Sequence, residues 1–321
     1  MSKIKVVVTD DRYGSYDIER EILRSVDAEI EVYNFLSQEE APEKLKEAHA
    51  VLMNCFDMNR NIIQSLENCR VISRYGVGFD NVDVDAASEK RIWVANVPDY
   101  AIEDVSDHAL GLLLCCIRKI RYKDQAVRSG RWNVHDEQKC FRIRGKTLGI
   151  IGHGHIGRAF HRKVRSLGLG KILICDPYID AASVEALGSI PASLKTVIKE
   201  SDYISVHVPL TEETRHFLSR AEFSAMKNHV IIINTSRGPV LDEEAVIWAL
   251  QNGEIGYAGL DVFETEPLPD SSPLKTMDNV ILTDHAGWYN EESVVELKSK
   301  AAKNIVSVFT SGKPEYPVNN L

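Results

Sequence analysis

The sequence predicts an α/β protein built as two doubly wound, parallel-sheet domains, and three observations predict it. Short apolar runs of four to six residues alternate with helical patterns along the chain. These runs are nearly continuously apolar, as strands buried on both faces require. The rhythm pauses near residue 99 for one long helical stretch and then restarts, so there are two β/α series.

In the first series the strand candidates are residues 5–9 (KVVVT), 29–33 (EIEVY), 50–53 (AVLM), 70–73 (RVIS) and 92–95 (IWVA). Helical patterns at 18–25 and 39–48 lie between them. A long helical pattern follows from Asp99 to about Ser129, where Gly130 and Trp132 open a loop. The second series has strand candidates at 146–151 (KTLGII), 171–175 (KILIC), 203–207 (YISVH), 230–234 (VIIIN), 257–261 (YAGLD) and 280–283 (VILT). A last helical pattern covers 291–310. A chain of 321 residues has the length for two such domains.

Charge and composition exclude several classes. The formal net charge of −9 argues against nucleic acid or an anionic membrane as main partner, though a few local cations can still hold a small anion. The start, MSKIKVVVTDD, lacks the apolar core of a secretory signal, and the most apolar helical stretch, 109–117 (ALGLLLCCI), is too short to span a bilayer. Six cysteines show no CxxC pair and no zinc spacing. The expectation is a reducing, cytoplasmic setting.

Directly after KTLGII comes Gly152-His153-Gly154-His155-Ile156-Gly157, leading into the helical RAFHRKVRSLG. A GxGxxG between a strand and a helix is a dinucleotide loop: Gly152 for the turn, Gly154 for the approach of a pyrophosphate, Gly157 for helix–strand packing. The next strand ends in Asp176, 19 residues past the last glycine, where an acid binds the adenosine ribose. Pro177 and Tyr178 follow, with no arginine to take a 2′-phosphate, so the expected cofactor is NAD. The His-x-His of this loop is set aside as a metal site; polar side chains here are expected at the diphosphate or in solvent.

Three later strands each end in residues suited to hydride-transfer chemistry. VIIIN leads to Thr235-Ser236-Arg237, YAGLD leads to Glu266-Pro267, and VILT leads to Asp284-His285. Carboxyl ends of parallel strands are where such sheets bind ligands. A histidine can pass the hydroxyl proton, a glutamate on its other nitrogen favours the imidazolium, and an arginine can grip substrate oxygens in a fork.

GHGHIG, the aspartate of CDPY, NTSRGPVLDEEAV, GLDVFETEP, TDHAGW and RYGVGFDNVDVDAA together resemble the ordered signatures of the D-2-hydroxyacid dehydrogenase family, over residues 51 to 309. The resemblance implies two Rossmann-like domains, flavodoxin-like and doubly wound, with a discontinuous substrate domain (1–100 and 290–321) around an NAD-binding domain (101–289). It implies Arg237, Glu266 and His285 as catalytic residues and the amides of Gly76, Val77 and Gly78 as carboxylate ligands. It carries cofactor contacts to His155, Ile156, Asp176, Val208, Pro209, Thr214, Thr235, Ser236, Arg237, Asp261, His285 and Gly287, beside the glycines. A helix around 104–122 would serve a homodimer.

Two departures stand out. Trp288-Tyr289 after the histidine, with Arg74 before the glycine loop, resembles the C-terminal binding protein subgroup of transcriptional corepressors. Arg74 would then pair with a substrate carboxylate and Trp288 would wall the pocket. Asn54 stands where many relatives have arginine or serine, which leaves the substrate side chain open.

The leading expectation is an NAD-dependent oxidoreductase interconverting a small anionic D-2-hydroxy acid and its 2-oxo acid. Two readings stand beside it: an NADH-sensing interaction protein with little turnover, and formate or phosphite oxidation, the formate type being disfavoured by Glu266.

Overall fold

The computed structural model describes residues 3–135 and 139–321. It divides into two compact units, one made of Met1–Ala101 with Asn290–Leu321 and the other of Ile102–Tyr289.

The first unit is a five-stranded parallel sheet of β1 (Ile4–Val8), β2 (Ala28–Val32), β3 (Ala50–Met53), β4 (Val71–Arg74) and β5 (Trp93–Ala95). The spatial order β2-β1-β3-β4-β5 is the flavodoxin-like one. Each central strand is apolar on both faces because helices cover both. Residues 6–8, 50–53 and 71–73 are buried throughout. The chain returns to this unit through the helix Glu291–Ser311, whose Asn290 side chain caps it by accepting from Ser293 N at 2.6 Å. That helix lies on the sheet, with Ser73 Oγ donating to Ala301 O at 2.9 Å.

The second unit is a seven-stranded parallel sheet of β6 (Thr147–Ile151), β7 (Lys171–Cys175), β8 (Ile190–Pro191), β9 (Tyr203–Val206), β10 (Ile231–Asn234), β11 (Tyr257–Leu260) and β12 (Val280–Leu282). Its order, β12-β11-β10-β9-β6-β7-β8, reverses direction between β6 and β9. A crevice at the carboxyl ends of those two strands is where such a sheet accepts a ligand. The two-residue β8 has no counterpart among the sequence candidates, because so short a strand carries no readable period.

The long helical pattern is corrected. Two helices, Ile102–Arg118 and Ile120–Arg128, occupy it, divided at Lys119, whose φ is +56°. The turn carries the Lys119 ammonium to 3.6 Å from the centre of the Tyr257 ring, a cation–π contact. The apolar face of the first helix packs into the unit's own core. Ala109, Leu112, Leu113, Cys116 and Ile117 lie there with Leu148, Phe160, Ile233 and Tyr257. Burial of the cysteines is also uneven: Cys116 is buried, whereas Cys55 and Cys140 are exposed. Among the described residues, no helix is long and apolar enough to cross a membrane.

Candidate active site

The carboxyl ends of β10, β11 and β12 bring three of the expected residues together. His285 Nδ1 lies 2.7 Å from Glu266 Oε2, and Glu266 Oε1 accepts from the backbone of Phe263 at 3.0 Å. Burial pushes the Glu266 carboxyl up, but the His285 hydrogen bond and charge, the Phe263 N–H and the Arg237 charge outweigh it and hold it below the usual range. The carboxylate therefore stays ionised. With Nδ1 engaged, Nε2 is the nitrogen left to meet a substrate, and the two side chains are 38% and 36% exposed.

Arg237 is placed by its neighbours on both sides. Asn234, the last residue of β10, donates through Nδ2 to Arg237 O at 2.9 Å and accepts from Ser236 N and Oγ at 3.0 and 2.8 Å. The next residue, Gly238, sits so close to the Phe263 carbonyl that any Cβ there would collide with it. This close approach presses the Arg237 turn against the turn that leads to Glu266.

The dinucleotide loop joins β6 to the helix His155–Val164. Gly152 has φ +88°, and a Cβ there would lie 2.7 Å from the His207 carbonyl carbon, so only glycine fits. Gly154 and His155 are exposed, Ile156 is half-buried, and a Cβ on Gly154 would meet open space. Asp176, directly after β7, accepts from His153 N at 2.7 Å through Oδ2 and from Tyr178 N at 2.8 Å through Oδ1. The acid and the glycine loop are thus one hydrogen-bonded piece. Val208, Pro209 and Thr214 form the turn after β9, where the Thr214 hydroxyl donates to Pro209 O at 2.7 Å. Thr235 Oγ1 is buried and has no hydrogen-bond partner among the described residues. Open space over Gly154 and a buried hydroxyl awaiting a partner both fit a bound dinucleotide.

One expectation here is overturned. His153 faces neither diphosphate nor solvent: it is 2% exposed, and its Nε2 lies 3.1 Å from His161 Nδ1. His161 Nε2 continues to Ser189 Oγ at 2.8 Å. The tight turn at Gly152 aims the side chain inward. Among the described residues no group of three or more acidic, cysteine or histidine side chains is arranged to hold a metal.

Asp261 and Gly287 are both buried, and Gly287 N donates to Asp261 Oδ2 at 3.0 Å. Trp288 is half-buried, its ring edge-on to Tyr289 at 5.8 Å between centres. Sequence reasoning missed His108 and Thr283, whose side chains meet at 2.9 Å beside Asp261. No motif marks two residues so far apart in the chain.

In the five-stranded unit, Arg74 ends β4 and its guanidinium covers the face of Gly76 where a side chain would sit. The carbonyls of Gly76 and Val77 accept from Val97 N at 2.9 Å and Asn96 Nδ2 at 2.6 Å, which fixes the loop that continues to Gly78. Tyr75 anchors it from below by donating to the buried Glu19 at 2.9 Å. Asn54 is nearly buried and donates to Tyr13 Oη at 2.8 Å.

These features define a two-unit α/β protein with a dinucleotide-type glycine loop, and comparison with known proteins gives the family. Residues 110–287 match the D-isomer specific 2-hydroxyacid dehydrogenase, NAD binding domain. The chain is 37% identical to D-3-phosphoglycerate dehydrogenase of Methanocaldococcus jannaschii over 98% of its own length, and it spans only 59% of that relative. It is 35% identical to glyoxylate reductase of Korarchaeum cryptofilum over 86% of this chain and 84% of that one. D-lactate dehydrogenase of Aquifex aeolicus, solved with NAD and lactic acid, superposes with a TM-score of 0.87 at 28% identity, covering 96% of both chains. The chain belongs to the D-isomer-specific 2-hydroxyacid dehydrogenase family.

Proposed function

We propose that the chain is an NAD-dependent oxidoreductase that interconverts a small D-2-hydroxy acid and its 2-oxo acid. The observation that carries this reading is the His285–Glu266 pair at 2.7 Å, with Arg237 close enough for its charge to act on the same carboxylate. Protonated His285 donates from Nε2 to the carbonyl oxygen of the 2-oxo acid as that oxygen becomes a hydroxyl. In the reverse direction the neutral ring takes the proton back. Glu266 fixes the tautomer and stabilises the cation. Arg237 orients the substrate and polarises its carbonyl, since a guanidinium remains charged throughout. When bound, the nicotinamide supplies or takes the hydride at the substrate's C2.

The cofactor is held by the amides from Gly152 to Gly157 with His155 and Ile156, by Asp176, by the Val208, Pro209 and Thr214 turn, and by Thr235, Ser236, Asp261 and Gly287. Asp176 favours NAD, because its carboxylate accepts from ribose hydroxyls and repels a 2′-phosphate. For the substrate carboxylate we assign Arg74 and the backbone of Gly76, Val77 and Gly78. Trp288 is assigned to the pocket wall.

The test is an NADH-oxidation assay with purified protein and a panel of glyoxylate, hydroxypyruvate, pyruvate, 4-methylthio-2-oxobutyrate and phosphohydroxypyruvate. At least one is reduced, with kcat/KM at least about 100-fold higher for NADH than for NADPH. Binding of NADH without reduction of any member overturns the enzyme reading, and equal use of both cofactors overturns the role of Asp176.

A further inference from the structure

Asp261, the first residue past β11, holds the turn that carries His285 by four bonds. Its Oδ1 accepts from Thr283 Oγ1 at 2.6 Å and Ala286 N at 2.9 Å, its Oδ2 from Gly287 N at 3.0 Å, and its carbonyl oxygen from His285 N at 2.9 Å. The turn needs holding, because His285 itself has φ +56°, a conformation that side chains other than glycine adopt at a cost. Burial would push the Asp261 carboxyl up, but the adjacent His108 and hydrogen bonds from Thr283 and Gly287 keep it low and ionised.

One member of this cluster comes from elsewhere in the unit. His108, on the helix Ile102–Arg118, places Nε2 at 2.9 Å from Thr283 Oγ1 and 3.3 Å from Asp261 Oδ1. The direction of the bonds follows from what each group can do. An ionised carboxylate only accepts, so the single Thr283 hydroxyl proton goes to Asp261. The Thr283 oxygen then has lone pairs left for a donor, and His108 Nε2–H is that donor. The helix that carries His108 is anchored in the core by Leu112, Leu113 and Cys116. The histidine therefore ties the His285 turn to the rigid interior.

We infer that His108 is a positioning residue for His285: through Thr283 and Asp261 it holds the 283–287 turn in the shape that keeps His285 against Glu266. Its effect on turnover rests on the function proposed above, whereas the clamp itself does not. A residue in this place acts without touching substrate, so its loss lowers the fraction of correctly placed His285 and spares the dinucleotide loop.

The experiment compares full-length wild type with His108→Leu, His108→Gln and Thr283→Val. In His108→Leu and Thr283→Val, hydrogen-exchange protection at the amides of Ala286 and Gly287 falls about tenfold, the worth of one hydrogen bond, while β10 and β11 amides are unchanged. The kcat for 2-oxo acid reduction falls about tenfold, and exchange at the amides of the 152–157 loop is unchanged. His108→Gln, whose amide still donates to Thr283, restores both readouts. Wild-type exchange at 286 and 287 in His108→Leu, or a Gln variant as impaired as Leu, overturns the assignment. If His108→Leu does not fold, His108→Ala takes its place and is read the same way. If wild type reduces no 2-oxo acid, the exchange data still decide the clamp, so the two readings fail separately.

Discussion

The seven-stranded unit keeps its histidines in two unlike settings. His285 stands at the rim of the sheet, its Nδ1 on the Glu266 carboxylate at 2.7 Å and its side chain 38% exposed. His153 and His161 lie behind the glycine loop, each 2% exposed, joined to each other at 3.1 Å and on to Ser189 at 2.8 Å. Burial pushes His161 down to about 4, with smaller contributions from His153 and Arg165, and burial lowers His153 too. The same ring therefore serves opposite ends. A carboxylate neighbour and an exposed ring suit proton transfer, whereas dehydration suits a hydrogen-bonding block of the core.

Substitutions break this comparison from its strongest side first. His285→Ala loses the proton donor, and steady-state kcat falls by roughly 10³-fold or more while NADH still binds. Titrating NADH into the inactive variant checks that its loop is intact, and turnover near wild type would remove His285 from the chemistry. Glu266→Gln keeps the shape but loses the charge that stabilises the imidazolium. The reductive kcat/KM falls about 100-fold. A kcat/KM within about threefold of wild type would leave Glu266 only a steric role.

The buried pair responds in stability. His161→Leu strands His153 and Ser189 without partners, costing about 2 kcal/mol and lowering Tm by roughly 5 °C, with kcat unchanged. The pH dependence has a definite sign. A histidine whose folded value is depressed binds its proton more readily when unfolded. Its contribution is fully present above its unfolded value, 6.5 for His161, and is lost as the pH falls toward about 4. That shift corresponds to roughly 3 kcal/mol. Urea unfolding of wild type should therefore lose stability between pH 6.5 and 4, and the Leu variant should show a flatter slope there. Equal slopes would mean that His161 is already charged in the folded protein.

Legibility in the sequence varied with the range of the interaction. The strands other than β8 fall within a residue or two of their apolar runs, because burial on both faces leaves a continuous signal. Arg237, Glu266 and His285 were readable because each follows such a run at its carboxyl end. Lys119 was not: its left-handed turn is stabilised by the Tyr257 ring, more than a hundred residues away. His153 was misplaced for the same reason, since only the packed helix supplies His161 and only the β8 edge supplies Ser189. His108 left no trace at all, because its meaning lies entirely in Thr283 and Asp261.

By itself the sequence determined the two β/α series, the glycine loop with its acid, and the trio at three strand ends. Those features depend on local periodicity, turn chemistry and spacing, which short stretches of chain carry. Only the tertiary structure decided which histidines are buried, what holds His285 in a left-handed turn, and which side chains of the first long helix enter the core. Those answers depend on burial and on partners brought from distant parts of the chain, and a side chain's proton affinity follows from them rather than from its neighbours in sequence.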